Sequence, residues 1–74
     1  MKTLYRVDFK GQLKGSKALN TTELRKHLVF EGERTYEQIV EELEKTHQYI
    51  TVLRITDSSK AAICNEVKPS QINN

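Results

Sequence analysis

Tryptophan is absent from this 74-residue chain, cysteine and proline occur once each, and glycine occurs only three times. The single thiol, Cys64, can close no disulfide within the chain. No oxidising compartment is therefore implied, and a cytoplasmic protein is the economical expectation. Long apolar runs are also missing. Lys2, Arg6 and Asp8 interrupt the first residues, which rules out a secretory hydrophobic region there. No stretch approaches the roughly 20 apolar residues of a membrane span. Only five aromatics are present, Tyr5, Phe9, Phe30, Tyr36 and Tyr49, so the core they help to build is small.

Catalytic and metal-binding constellations are equally scarce. His27 and His47 lie twenty residues apart, and no Cys-x-x-Cys, His-x-x-x-His or His-Glu pair accompanies them. An enzyme needs a nucleophile with its base, or a metal with three or four ligands. The expectation is a non-enzymatic protein with no cofactor, no metal and no small-molecule substrate. Cys64 reads as a small buried thiol. His47, placed just after a helix, reads as a cation complementing the helix dipole. Gly11-Gln-Leu-Lys-Gly15-Ser16-Lys17 lacks the spacing of a phosphate-binding loop and reads as solvated surface.

What is present is a 36% hydrophobic fraction with clear periodicity, which marks a globular chain rather than a disordered one. From Thr3 to Lys10 apolar Tyr5, Val7 and Phe9 alternate with Arg6, Asp8 and Lys10, the period of a half-buried strand. Residues 10–20 read as a loop, with a ragged strand around Leu13 as an alternative. Over 20–31 two readings compete. Asn20 with Glu23, and Leu24 with Leu28, favour a helix ending before Gly32 in a left-handed position. Leu24, Leu28 and Phe30 on one side favour a strand.

The next element is better marked. Thr35 with Gln38 forms a capping-box pattern, and Tyr36, Ile39, Val40 and Leu43 make one apolar stripe, predicting a helix over 35–46. Glu41 and Lys45 are placed for an i, i+4 pair. Residues 48–56 are rich in β-branched and aromatic types with apolar groups on both faces, as in a covered strand. Asp57-Ser58-Ser59-Lys60 supplies a turn, Ala61–Val67 a return strand, and Pro69 its end.

The fold expected is α+β: one small two-layer domain over 1–69, with a flexible tail over 70–74. Its three- or four-stranded, mainly antiparallel sheet carries one or two helices on one face. The preferred order is β-α-α-β-β, with β-β-α-β-β as the alternative.

Charge is unevenly spread. Residues 1–30 carry seven basic groups against Asp8 and Glu23, and residues 31–74 carry five against eight acids. Three surfaces are candidates for recognition. Lys10, Lys14, Lys17, Arg25 and Lys26 could contact nucleic-acid phosphates, although no aromatics interleave with them. Glu37, Glu41, Glu42 and Glu44 could present an acidic helix face to a basic site on a protein partner. The apolar strand at 49–55 needs cover from a helix, a second copy or a target protein. A protein-interaction module, self-associating or acting as a small accessory or inhibitory factor on a larger protein, is the first expectation. A nucleic-acid-binding module using residues 10–26 is its rival.

Overall fold

A computed structural model describes residues 1–59 and 65–70. Its elements are β1 (Lys2–Leu13), β2 (Thr22–Glu31), α1 (Tyr36–Leu43), β3 (His47–Asp57) and β4 (Glu66–Val67). They form one antiparallel four-stranded sheet in the order β2-β1-β3-β4, with the helix on one face. This is the small α+β two-layer domain the sequence predicts, in the β-β-α-β-β order.

The alternation along β1 decides which face is the core. Tyr5, Val7 and Phe9 are buried beneath the helix with Ile39, Leu43 and Ile55. Each such side chain contributes about 1.5–3 kcal/mol by leaving water. Tyr36, Val40, Ile50, Val52 and Val67 pack around this cluster. Tyr5 also closes the β2–α1 connection, its hydroxyl accepting from the Arg34 backbone N–H at 2.8 Å.

The helix preferred over 20–31 is a strand. Ten residue pairs join β1 and β2, from Lys2 opposite Glu31 to Gly11 opposite Thr22. A helix would have turned only Leu24 and Leu28 inward. The strand brings Leu24, Leu28 and Phe30 onto the core together, and Phe30 meets Tyr5 edge-on at 5.9 Å. Long-range pairing overrides the local capping pattern. Gly32 does take a positive φ of 81°, but as the exit from a strand rather than a helix.

The capping box at Thr35 forms. Gln38 N–H donates to Thr35 Oγ1 at 3.2 Å, and Thr35 N–H donates to Gln38 Oε1 at 2.9 Å. The helix stops at Leu43, earlier than expected, because 44–46 tighten into a turn with Lys45 and Thr46 N–H bonded to Glu42 and Leu43 carbonyls. Lys45 consequently pairs with Glu42 at 2.9 Å and not with Glu41. β1 runs three residues past Lys10, so the loop begins only after Leu13.

Of the return strand expected over 61–67, Glu66–Val67 forms β4, and residues 61–64, with Cys64, lie outside the described residues. Ser70 is fastened to the helix start, its N–H and hydroxyl both donating to Glu37. No helix among the described residues is long and apolar enough to cross a membrane.

Candidate functional site

Two bulges shape β3. Lys10 opposes Thr51 and Gln12 opposes Gln48, so Gly11 alone faces both Tyr49 and Ile50. Between Asp8–Arg54 and Phe9–Val52, Leu53 is likewise an extra residue. Glycine at position 11 permits the close approach. A Cβ there would meet the Gln48 carbonyl oxygen at 3.2 Å and the Phe9 ring at 3.3 Å.

Tyr49 is the one described non-glycine residue with a positive φ, 56°, and it is 73% exposed. A tyrosine in that region carries backbone strain of order 1–3 kcal/mol. The strain is not offset by burial, because the ring stands in solvent. Leu53 is also exposed.

These residues flank an open edge. β4 pairs only with Ile55 and Thr56 of β3. From His47 to Arg54 the outer edge has no strand partner among the described residues. Alongside it runs a groove of about 460 Å³ between α1 and β3, lined by Tyr36, Val40, Ile50, Val52 and Tyr49, with Lys14 and Glu44 as its charged members.

His47 forms part of the same groove but is buried rather than cationic. Its ring meets Phe9 edge-on at 5.1 Å, and Thr46 Oγ1 lies 2.8 Å from Nδ1. Burial pushes the imidazole below its ordinary 6.5, with the Lys26 charge adding to the effect and a backbone hydrogen bond at Leu43 opposing it. The dipole-complementing role expected from sequence therefore gives way to a neutral, packed ring. Unfolded chains take up this proton near 6.5, while the folded protein resists it until the pH is lower. The stability it protects is complete above about 6.5 and declines as pH falls from there toward the folded value. Urea midpoints are expected to be lower at pH ~5.5 than at ~7.5, and His47→Gln is expected to flatten that slope.

The opposite face of the sheet has no helix over it among the described residues. Across β1 and β2 it presents Arg6 beside His27, Asp8 beside Arg25, and Lys10 beside Glu23. Thr56, Arg54 and Thr51 of β3 continue the same rows. Arg25 Nε donates to Asp8 Oδ1 at 2.8 Å, and Arg6 Nε stands 3.6 Å from Oδ2. The Arg25 hydrogen bond holds the Asp8 carboxyl below its ordinary 3.8, reinforced by the charges of Arg25, Arg6 and Arg54 against partial desolvation.

The five basic residues expected to contact nucleic acid are not brought together. Because 22–31 is a strand, Arg25 and Lys26 point to opposite faces. Arg25 is engaged by Asp8. Lys10 shares its face, whereas Lys26 lies opposite Val7 on the helix side. Lys14 and Lys17 belong to the turn after β1.

That turn is built by two glutamines whose importance the sequence does not signal. Gln12 Nε2 donates to the Ala18 and Asn20 carbonyls at 2.9 and 3.0 Å, and Gln48 Nε2 donates to Gln12 Oε1 and the Ser16 carbonyl at 3.0 and 3.2 Å. The lysines ride on a turn fastened to the end of the sheet.

The four acids also divide. Glu37 receives Ser70 and Glu42 receives Lys45, while Glu41 and Glu44 form no ion pair among the described residues. Only Glu44 reaches the α1–β3 groove. Among the described residues no group of three or more His, Cys, Asp or Glu side chains could hold a metal.

The chain matches no protein-family model, no curated protein and no solved structure.

Proposed function

We propose that this chain is a non-catalytic protein-interaction module that docks an extended segment of a larger protein along the outer edge of β3. The observation that carries this reading is the edge from His47 to Arg54, open among the described residues and flanked by the strained, exposed ring of Tyr49. An unpaired edge offers backbone donors and acceptors to an incoming strand. The neighbouring groove offers Tyr36, Val40, Ile50 and Val52 to alternate side chains of that strand. Glu44 and Lys14, its two charged members, each favour an opposite charge on the segment. Backbone pairing supplies affinity and the groove supplies choice of partner. A cytosolic setting, where a larger protein is reached without translocation, suits such an accessory role.

Scattering of Lys10, Lys14, Lys17, Arg25 and Lys26 supports a protein partner over nucleic acid. Across the paired, described residues of the open face, His27 is the only ring on which a base could stack.

Site-specific photo-crosslinking in cell extract tests the proposal. A photoreactive residue at Tyr49 is expected to yield a discrete protein adduct. The same residue at Val29, exposed on the open face, is expected to yield none. Equal adducts from both positions, an adduct to nucleic acid, or no adduct from Tyr49 would overturn it.

A further inference from the structure

We propose that the recess on the open face where β3 meets β4 is an oxyanion site that takes a phosphate group, free or as the monoester of a small molecule. It lies on the side of the sheet away from the groove and stands apart from the docking role.

The recess, about 600 Å³, gathers Arg6, Arg54 and Lys68 with the hydroxyls of Thr56 and Ser58 and the amide of Asn65. One carboxylate, Glu66, faces Thr56 across the strands and is the only acid among its described lining residues. Three cations against one anion leave an excess of positive charge.

The sheet compensates that charge only in part, through Asp8, which stands at ion-pair distance from Arg6 and feels the Arg54 charge. Asp8 gives its close hydrogen bond, at 2.8 Å, to Arg25 outside the recess. Arg6 is left 3.6 Å from Asp8 Oδ2, with its Nε shut off from solvent and without a hydrogen-bond acceptor among the described residues. Buried donors without acceptors are uncommon and costly. Arg54 and Lys68 form no ion pair among the described residues.

Guanidinium groups present a planar fork that matches two oxygens of a phosphate at once, and neighbouring hydroxyl and amide donors complete such a site. The lining residues include no aromatic, so a base has nothing to stack upon. Recognition accordingly centres on the oxyanion group itself.

Titration of the full chain with inorganic phosphate at constant ionic strength, followed by nitrogen–proton NMR, tests the site. Saturable shifts are expected at the Arg6 and Arg54 side-chain N–H signals and at the amides of Thr56, Ser58 and Asn65. Arg54→Gln is expected to weaken binding about tenfold, the loss of one charge-assisted hydrogen bond. Glu66→Gln is expected to strengthen it, and Lys10→Gln, on the same face outside the recess, to leave it unchanged. Glycerol phosphate distinguishes the sources: tighter binding than inorganic phosphate assigns the monoester, and equal or weaker binding assigns the free ion. Non-saturating shifts, shifts spread evenly over Lys10, Lys14, Lys17 and Lys26, or unaltered binding by Arg54→Gln would overturn the proposal. So would tighter binding of an octathymidylate with a footprint extending over Lys10 and Arg25.

Discussion

Phe9→Ala is expected to remove a large share of the stability of the fold. The ring is wholly buried at the middle of β1, where it packs with Tyr5, Val7, Ile39, Leu43 and Ile55 and meets His47 edge-on. Truncation of a buried phenylalanine costs about 3–5 kcal/mol, through lost transfer energy and the cavity left behind. A domain of this length has about 4–11 kcal/mol of stability in all. Collapse around the hole is restricted, because Phe9 also borders the bulge where Gly11 approaches the Gln48 carbonyl. Thermal unfolding is expected to fall by at least about 12 °C, or to lose its cooperative transition altogether. Leu53→Ala, at an exposed bulge position of the neighbouring strand, is expected to change stability by less than about 0.5 kcal/mol. A Phe9→Ala protein within about 1 kcal/mol of the parent would show that the core lies elsewhere.

Tyr49→Gly is expected to separate folding from recognition. Glycine adopts positive φ without the steric cost that a side chain meets there, while adding some freedom to the unfolded chain. The exposed ring contributes little burial, so its removal costs the fold little. The expected balance is a stability equal to the parent's or up to about 1 kcal/mol greater, read from the urea midpoint. Tyr49→Ala removes the same ring but keeps a Cβ at φ 56°, and is expected to be the less stable of the two. Binding is expected to move the other way. An exposed tyrosine at the centre of an interface carries about 2 kcal/mol or more when buried by a partner, so either substitution is expected to weaken docking roughly 30-fold.

Much of the scaffold was legible because its signals are local. Tyr5, Val7 and Phe9 declare β1 by simple alternation, and Thr35 with Gln38 declares the helix start through a hydrogen-bond exchange spanning three residues. β2 was not legible in the same way. Its Leu24 and Leu28 satisfy a helical and an extended spacing equally, and only pairing with β1 along ten residues decides between them. The placement of Arg25 and Lys26 on opposite faces follows from that decision, and so the expected basic cluster dissolved with the helix.

The candidate sites were less legible still, since both depend on register. Arg6 and Arg54 are forty-eight positions apart and are brought into one recess because each is paired into the same rows of the sheet. Gly11 gives a hint of close approach, but nothing in the residues around Tyr49 announces that two residues there oppose one. The groove was anticipated only as surplus apolar surface over 49–55. Its bounds, and the participation of Tyr36 and Val40, come from where α1 lies on the sheet.

The docking account is tested most directly by a photoreactive residue at Leu53, exposed at the bulge of the same β3 edge, compared in the Tyr49 parent and in Tyr49→Gly. The account predicts a discrete protein adduct in the parent and its loss in Tyr49→Gly, with the variant at least as stable as the parent. An adduct of undiminished yield from the glycine variant would contradict it.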